Sequence, residues 1–127
     1  MGVRIGIDLV DYAEVDAAIA KHGDRYLRRI YGEAEVDDCR DADGMIVAER
    51  LAARFAAKEA ARKVLRPDRV GIGWRDVQVE RRPGGWTALR LTRSAALRAE
   101  EQRLEDFELS LTHEAGMAGA VVVAQAA

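Results

Sequence analysis

One long uninterrupted segment near the middle of the chain constrains the fold most. From Met45 to Leu65 the sequence is rich in Ala, Leu and Arg and contains neither Gly nor Pro. Its apolar residues, such as Leu51 and Phe55, recur at helical spacing. Pro67 follows, and a proline disfavours the helical conformation in the residue before it. The pattern predicts a helix over residues 45–65, the longest element of the chain.

The segments on either side of this helix predict β-strands. From Val3 to Leu9, apolar and polar residues alternate with the period of a half-buried strand. Residues 76–82 and 87–92 also alternate, and the Pro-Gly-Gly sequence between them predicts a hairpin turn. Residues 107–113 and 117–124 predict the last two strands. The second of these is apolar on both phases in its centre, which is typical of a strand covered on both faces.

Shorter helices complete the predicted fold. Asp11, with Glu14 three residues later, resembles a helix N-cap with its capping-box partner, and it opens a helix that continues to about Lys21. A short helical segment follows in "DRYLRRIYG", and Ser94 is the predicted N-cap of a helix over 95–103. The order of elements predicts an α+β fold, with a mainly antiparallel sheet packed against one long central helix and shorter helices.

Length and composition narrow the class of protein. A chain of 127 residues is long enough for one domain with a core, so residues 1–127 are expected to form a single domain. Twenty Lys and Arg against twenty-two Asp and Glu argue against nucleic acid or an anionic membrane as partner. Cys39, the one cysteine, cannot form an internal disulfide, which fits a reducing compartment. With no leader-like N-terminus and no membrane-length apolar run, we expect a cytoplasmic protein.

Charge is distributed unevenly along the chain. Residues 33–43 carry six acids and one Arg, whereas the end of the long helix and the segment after it are basic, from Arg62 to Arg75. An anionic ligand would prefer the basic region. The simpler interpretation is that both segments are solvated surface.

Glu59 in "RFAAKEA" has two interpretations. Phe55, Glu59 and Lys63 are spaced by four and lie along one row of the long helix. Glu59 and Lys63 then form either an ordinary surface pair, worth about 0.2–0.5 kcal/mol, or part of a binding site. Lys58, about 100° round the helix, is interpreted as solvated.

Asp8 and His113 are the other polar residues at informative positions. Asp8 lies near the end of the first strand and shares its face with Gly6, where the missing side chain leaves room for something large to approach. The alternative interpretation is that Asp8 is an ordinary polar residue at the end of a strand. His113 is in phase with the apolar Leu109 and Leu111, which favours a core histidine over a ligand or base.

Three motifs together resemble a known family. "GIDLVD" near the N-terminus, "RFAAKEAARK" in the long helix and "LSLTHE" before the apolar last strand occur in this order and spacing in holo-acyl-carrier-protein synthases, the small phosphopantetheinyl transferases. The resemblance covers nearly the whole chain. Its most specific part is the helix motif, in which Phe55, Lys58, Glu59 and Lys63 stand at the family's positions.

The resemblance implies an activity, a cofactor and a set of site residues. Members transfer phosphopantetheine from coenzyme A to a serine of an apo acyl carrier protein with Mg²⁺. By resemblance the metal ligands are Asp8 and Glu59, a donor set that suits a hard cation. The residues that resemblance assigns to catalysis are Glu59, Lys63 and His113, and those it assigns to coenzyme A are Arg54, Lys63, Arg66, Ser110 and His113. Either Glu59 or a magnesium-bound water is the candidate base that deprotonates the serine.

The resemblance also implies an assembly, and the chain departs from the family pattern twice. Members are homotrimers with a coenzyme A site at each boundary between subunits. Arg66 and Pro67 stand where the family usually has a glycine-rich turn. Glu14 stands where the first helix commonly has an arginine that pairs with an acid on the carrier. Either docking uses other cations, such as Arg25, Arg28 and Arg29, or the carrier is unusual.

Three functions follow from the sequence. The first is a phosphopantetheinyl transferase acting on a carrier of fatty acid and lipid metabolism, or of polyketide or peptide synthesis. The second is a catalytically silent descendant that binds carrier proteins or a partner subunit, suggested by Glu14 and the altered turn. The third is an α+β domain with coincidental motifs. Retention of Asp8, Glu59, Lys63 and His113 together favours the first.

Overall fold

The computed structural model describes residues 2–69 and 71–127. Helices and strands follow one another in the order expected of an α+β fold. The elements are β1 Gly2–Asp11, α1 Tyr12–His22, α2 Asp24–Ile30, α3 Glu33–Asp38, α4 Ala48–Leu65, β2 Val77–Arg81, β3 Thr87–Leu91, α5 Arg93–Glu101, β4 Leu104–Glu114 and β5 Met117–Ala126. A 3₁₀ turn, Trp74–Asp76, precedes β2.

Two antiparallel sheets surround the long helix. The larger sheet has the strand order β1-β5-β4, and β2 and β3 form a separate hairpin. In the larger sheet Asp8 and Leu111 both lie opposite Ala120, and Ile7 and Ser110 both lie opposite Val121. Since opposed residues share a face and neighbours along a strand alternate, these two rows lie on opposite faces. The predicted α+β class, hairpin and antiparallel sheet are confirmed.

Helix α4 is the centre of the core and is buried on most of its circumference. Leu51, Ala52, Ala56, Ala60 and Leu65 are among its fully buried residues. A helix that is buried on several sides requires cover there, and the larger sheet, α1, α3 and β2 provide it. The helix begins at Ala48, three residues later than predicted. It ends as predicted before Pro67.

Glycine at position 6 lets β1 lie directly on α4. A Cβ placed there would collide with the backbone carbonyl of Ala60 and would come within 3.1 Å of Val64 Cγ2. The space beside Asp8 that the sequence left open for a ligand is therefore filled by the helix. This contact fixes the distance between the strand that carries Asp8 and the helix that carries Glu59.

Replacing Gly6 by Ala is expected to destabilise the fold by about 1–3 kcal/mol, because backbone atoms of α4 must move to admit the methyl group. Gly2→Ala is the matched control on the same strand, since a Cβ there has no atom within 4 Å. Urea unfolding of both variants measures the difference. Equal stability of the two variants would contradict the close packing of β1 on α4.

One sheet face and one helix cap differ from the sequence expectation. In β1 the apolar phase, which was expected to be the buried one, is exposed: Ile5, Ile7 and Leu9 are 59–67% accessible. Ser94 does not cap α5. The N-cap residue is Thr92, and the Ser94 hydroxyl inside the first turn donates to Asp76 Oδ2 at 2.6 Å. Thr and Ser are both residue types that commonly cap helices, and the Ser94 hydroxyl is instead bonded to Asp76.

A buried ion pair joins the acidic segment to the central helix. Lys58 Nζ lies 2.7 Å from Glu35 Oε1, and both side chains are at most 1% exposed. Lys58 also donates to the carbonyls of Trp74 and Val77, while Glu35 accepts from the backbone N–H of Val79. Burial lowers the pKa of Lys58, and the Glu35 carboxylate acts in the opposite direction. The interpretation of Lys58 as solvated is therefore wrong, and so is that of Glu35 as surface.

No helix in the described part of the chain is long and apolar enough to cross a bilayer.

Candidate active site

The proposed site lies where the C-terminal half of β1 meets α4. Lys63 Nζ donates to the carbonyl of Ile7 at 2.7 Å and lies 3.4 Å from Asp8 Oδ1. Asp8 is half-buried, with 20% of its side chain exposed, because its face of the strand points toward α4. Lys63 is one helical turn beyond Glu59. The structure thus brings Asp8 and Lys63 together, and Lys63 pairs with the strand in place of the predicted surface pair with Glu59.

The Glu59 carboxylate is half-buried and is available to bind a ligand. Within residues 2–69 and 71–127, no hydrogen bond or ion pair engages it. The residue after it, Ala60, is the point where Gly6 touches the helix, so Glu59 belongs to the same junction as Asp8. A partly desolvated carboxylate without a protein partner is a good ligand for a cation.

This donor set fits Mg²⁺ and does not fit a fully protein-bound transition metal. Among the described residues, no group of three or more His, Cys, Asp or Glu side chains is placed to hold a metal. Asp8 and Glu59 supply two carboxylates at most. Mg²⁺ is commonly held by one or two carboxylates, with water and substrate phosphates completing its shell. The Lys63 ammonium beside Asp8 shows that this junction already attracts positive charge.

An aromatic stack borders the row of α4 that carries Glu59. Phe55, one turn before Glu59, stacks on Trp74 with ring centroids 5.3 Å apart. The guanidinium of Arg62 lies over the Trp74 ring at 4.8 Å and donates to the carbonyl of Ile72 at 2.8 Å. This arrangement gives the helix row one apolar, rigid border and a cation next to it.

His113 is a surface residue beside the start of α4. Its side chain is 55% exposed, and Nδ1 lies 3.7 Å from Glu49 Oε2. The expectation of a core histidine is therefore wrong. The alternation of β4 places His113 on the α4 side of the sheet, opposite the buried Ala118, but at the rim where the helix begins. Desolvation and the Glu49 carboxylate raise the pKa of Tyr12, which completes a polar cluster of three residues.

Ser110 lies on the other side of the sheet. It is opposed by Val121 and belongs to the exposed face of Ile7. Asp8 and His113, by contrast, share the face that packs against α4. Within one chain the structure therefore separates Ser110 from the β1–α4 junction.

The two arginines that the resemblance assigns to coenzyme A, Arg54 and Arg66, differ in exposure. Arg54 is 6% exposed; its Nη1 donates to the carbonyl of Arg50, and its buried Nε has no hydrogen-bond partner among the described residues. Arg66 is exposed at the end of α4 with a left-handed backbone (φ 50°). Its carbonyl accepts from Arg98 of α5. The side chain of Arg66 is thus left at the surface beside the turn.

Two contacts beside the site have no signal in the sequence that pairs their residues. Glu49 meets His113 across 64 positions of the chain, and Arg98 meets Arg66 across 32. Glu49 had only the general signal of an acid in the first turn of a helix. Neither contact is encoded by local spacing, so only the folded chain reveals it.

Comparisons with known proteins identify what the chain is similar to. The sequence model of the 4'-phosphopantetheinyl transferase superfamily matches residues 4–119. A holo-[acyl-carrier-protein] synthase of Herpetosiphon aurantiacus is 38% identical over 93% of this chain and 94% of its own. One of Desulforudis audaxviator is 40% identical over 98% and 93%. The crystal structure of the Helicobacter pylori holo-[acyl-carrier-protein] synthase in complex with coenzyme A has a TM-score of 0.79 and 27% identity, covering 96% of this chain and 100% of that one.

Proposed function

This chain belongs to the 4'-phosphopantetheinyl transferase superfamily, and from that premise we propose that it is a holo-[acyl-carrier-protein] synthase. The proposed reaction transfers 4'-phosphopantetheine from coenzyme A to a serine of an apo acyl carrier protein and releases adenosine 3',5'-bisphosphate. The whole chain, 1–127, acts as one domain. The reaction takes place in the cytoplasm, on a carrier of fatty acid, polyketide or peptide synthesis.

The observation that carries this proposal is the free Glu59 carboxylate at the junction with Asp8, in a chain matched over nearly its full length by such synthases. A structural ion pair would have engaged Glu59. A carboxylate left half-buried without a partner is better explained by a ligand that is bound during function.

Asp8 and Glu59 are the proposed ligands of Mg²⁺. When bound there, Mg²⁺ neutralises the diphosphate of coenzyme A and stabilises negative charge on the leaving bisphosphate. The oxygen of the carrier serine forms a bond to the phosphorus that carries the pantetheine arm, and the bond from that phosphorus to the bridging oxygen breaks. The serine proton passes to a base, for which the unengaged Glu59 is a candidate acceptor.

Basic side chains around the junction are proposed to hold the phosphates. Lys63, whose side chain is 55% exposed, can turn from Asp8 to a phosphate oxygen. Arg54 keeps an unused donor in its buried guanidinium, and Arg66 stands exposed at the turn. His113, oriented by Glu49, supplies a further contact. These assignments give coenzyme A a cationic surface along one side of α4.

The exposed apolar face of β1 supports a homotrimer. Val3, Ile5, Ile7 and Leu9 together leave a continuous apolar strip open to solvent, which is unusual for a monomer. Ser110 lies on this same face, away from Asp8. A neighbouring subunit that covers the strip would bring its own junction near Ser110, so each coenzyme A site would lie between two subunits.

Ile7→Asp tests this assembly. The charge would be buried without a partner at the subunit boundary, so the variant is expected to be a monomer by light scattering and to lose transfer activity. Leu97→Asp is the control, because Leu97 is as exposed (59%) but lies on α5. A wild-type chain that is monomeric at assay concentrations and active would contradict the trimer.

The carrier is proposed to dock on α2. Arg25 and Arg29 are exposed there, and Arg28 makes only an exposed pair with Asp24, at 3.6 Å. Acidic carriers are attracted by such a cationic helix. Glu14 on α1 repels an acid, so the carrier contact is expected to shift from α1 toward α2. Glu14 is also the observation that favours the second candidate, a silent descendant that binds carriers without modifying them.

The intact mass of an apo carrier protein decides between these two functions. Incubation with the enzyme, coenzyme A and Mg²⁺ is expected to add one phosphopantetheine arm, and excess chelator is expected to prevent the gain. Carriers of fatty acid, polyketide and peptide synthesis are compared in parallel. Absence of any mass gain on all three would overturn the transferase and favour the silent descendant.

A further inference from the structure

Side chains from two other elements cover the C-terminal end of α4. The last carbonyls of a helix have no partner within the helix. Here Arg4 of β1 donates from Nη1 to the carbonyl of Val64 at 3.1 Å. Arg98 of α5 donates from Nε to the carbonyls of Leu65 and Arg66, both at 3.1 Å. Arg4 therefore holds the helix itself, whereas Arg98 also holds the first residue beyond it.

The backbone of Arg66 has an unfavourable conformation. Its φ of 50° and ψ of 68° are left-handed, and a residue with a Cβ adopts this region at an energetic cost that glycine avoids. Pro67, next in the chain, disfavours the helical alternative. Such a residue persists only where its surroundings hold it. Arg98 provides this hold, because its Nη2 donates to the same Arg66 carbonyl as its Nε.

The guanidinium of Arg98 is engaged on every side. Its Nη1 lies 3.2 Å from Glu101 Oε2 and 3.6 Å from Asp68 Oδ2, and its side chain is only 18% exposed. All three nitrogens of the group therefore contact protein acceptors, in the turn and on α5. Arg98 is consequently fixed in place and is suited to support the turn rather than to bind a substrate.

The side chain of Arg66 is the opposite case. It is exposed, and across residues 2–69 and 71–127 no hydrogen bond or ion pair engages its guanidinium. Other cations lie near it: desolvation lowers the pKa of Arg4, and the charges of Arg66 and Arg98 lower it further. An anion that contacts Arg66 would relieve the repulsion among these three groups.

The turn at Arg66 follows directly on the proposed phosphate contacts. Lys63 is three residues earlier on α4, which places the two residues on neighbouring parts of the helix surface. The N–H of Arg66 donates to the carbonyl of Arg62 at 2.9 Å, so the turn continues from the last turn of the helix. The backbone conformation at Arg66 therefore decides in which direction its side chain leaves the helix end.

We propose that Arg98 is a positioning residue for coenzyme A binding. By holding the left-handed turn, it keeps the Arg66 guanidinium where a phosphate of coenzyme A can contact it, and Arg98 itself does not touch the substrate. Glycine reaches the left-handed conformation unaided, whereas an arginine in this turn needs support. This inference rests on the proposed function. It adds a residue of α5, which lies outside the three motifs that carry the family resemblance.

A double-mutant cycle on Arg98 and Arg66 tests the proposal. KM for coenzyme A and kcat are measured from the mass gain of the apo carrier, and calorimetry gives the dissociation constant of coenzyme A. Arg98→Ala is expected to raise KM about tenfold and to leave kcat within about twofold, and Arg66→Ala is expected to do the same. The double variant is expected to raise KM about tenfold rather than a hundredfold, because Arg98 acts through Arg66.

Three further variants separate positioning from general effects. Arg93→Ala is the control, since it removes an exposed arginine of the same helix that no hydrogen bond or ion pair engages in the described part of the chain. Arg98→Lys keeps the charge but has a single donor nitrogen, so it is expected to recover little of the affinity. In urea unfolding, Arg98→Ala is expected to cost less stability in an Arg66→Gly background, because glycine does not need the support.

Two kinds of failure are distinguishable. Transfer by the wild type together with an unaltered KM in Arg98→Ala, a hundredfold KM in the double variant, or full recovery by Arg98→Lys would overturn the role of Arg98 and leave the transferase standing. If Arg98→Ala does not fold, Arg98→Lys takes its place in the cycle. A wild type that neither binds coenzyme A nor modifies a carrier would overturn the proposed function and the inference with it.

Discussion

Glu59→Gln is expected to lower the transfer rate on the order of 10³-fold while leaving the fold intact. The substitution keeps the size of the side chain and removes the charge that a magnesium ligand requires. Because no ion pair among the described residues depends on Glu59, its loss has little structural cost. The loss of several kcal/mol of charge stabilisation in the transition state accounts for the magnitude. The measurement is the rate of mass gain of the carrier.

Glu100→Gln is the matched control, since it removes an exposed carboxylate of α5, a helix that is not part of the β1–α4 junction. Its rate should equal that of the wild type. Titration of Mg²⁺ adds a second readout, because Glu59→Gln should need more metal for any residual turnover. An active Glu59→Gln enzyme with an unchanged magnesium dependence would show that Glu59 is not a ligand.

Lys58→Met is expected to destabilise the protein by about 3–5 kcal/mol. The side chain of Lys58 is fully buried and its ammonium is the charge partner of Glu35 at 2.7 Å. Removing it leaves a buried carboxylate whose remaining contacts are backbone N–H groups of Gly32 and Val79. An uncompensated buried charge has a cost of this size. Urea unfolding monitored by circular dichroism measures the change.

The double variant Glu35→Gln/Lys58→Met separates loss of charge balance from loss of packing. It should be less destabilised than the sum of its two single variants, because neither charge is left unpaired. Methionine fills most of the space of the lysine stem. Strict additivity of the single variants would mean that the pair is not coupled, in conflict with the observed contact.

Much of the fold could be predicted from local signals. Pro67 marked the end of α4, and the Pro-Gly-Gly turn marked the hairpin, because both act through backbone conformation. Ser94 was assigned wrongly as a cap because α5 begins two residues earlier than expected, at Arg93, and the Ser94 hydroxyl bonds to Asp76 from a distant part of the chain. Glu35 and Lys58 are 23 positions apart, and no spacing rule joins them.

The site was less accessible to local reasoning. Spacing alone favoured a surface pair of Glu59 with Lys63, and only the resemblance raised Glu59 to a ligand. In the folded chain Lys63 instead donates a hydrogen bond to β1. For His113 the alternation gave the correct face of β4, but it could not tell that this end of the strand reaches the rim of the core. Exposure depends on how far the helix extends over the sheet.

The division of polar residues between the two faces of the large sheet has a genetic consequence. In the proposed homotrimer each chain would contribute one half-site with Asp8 and Glu59 and another with Ser110, and the large sheet lies between them. Two defective chains, one altered at Glu59 and one altered at Ser110, should therefore complement each other when they are mixed during assembly. In random trimers about a quarter of the boundaries would join two intact halves. Recovery of activity from two impaired parents would be the mark of an active site that no single chain contains.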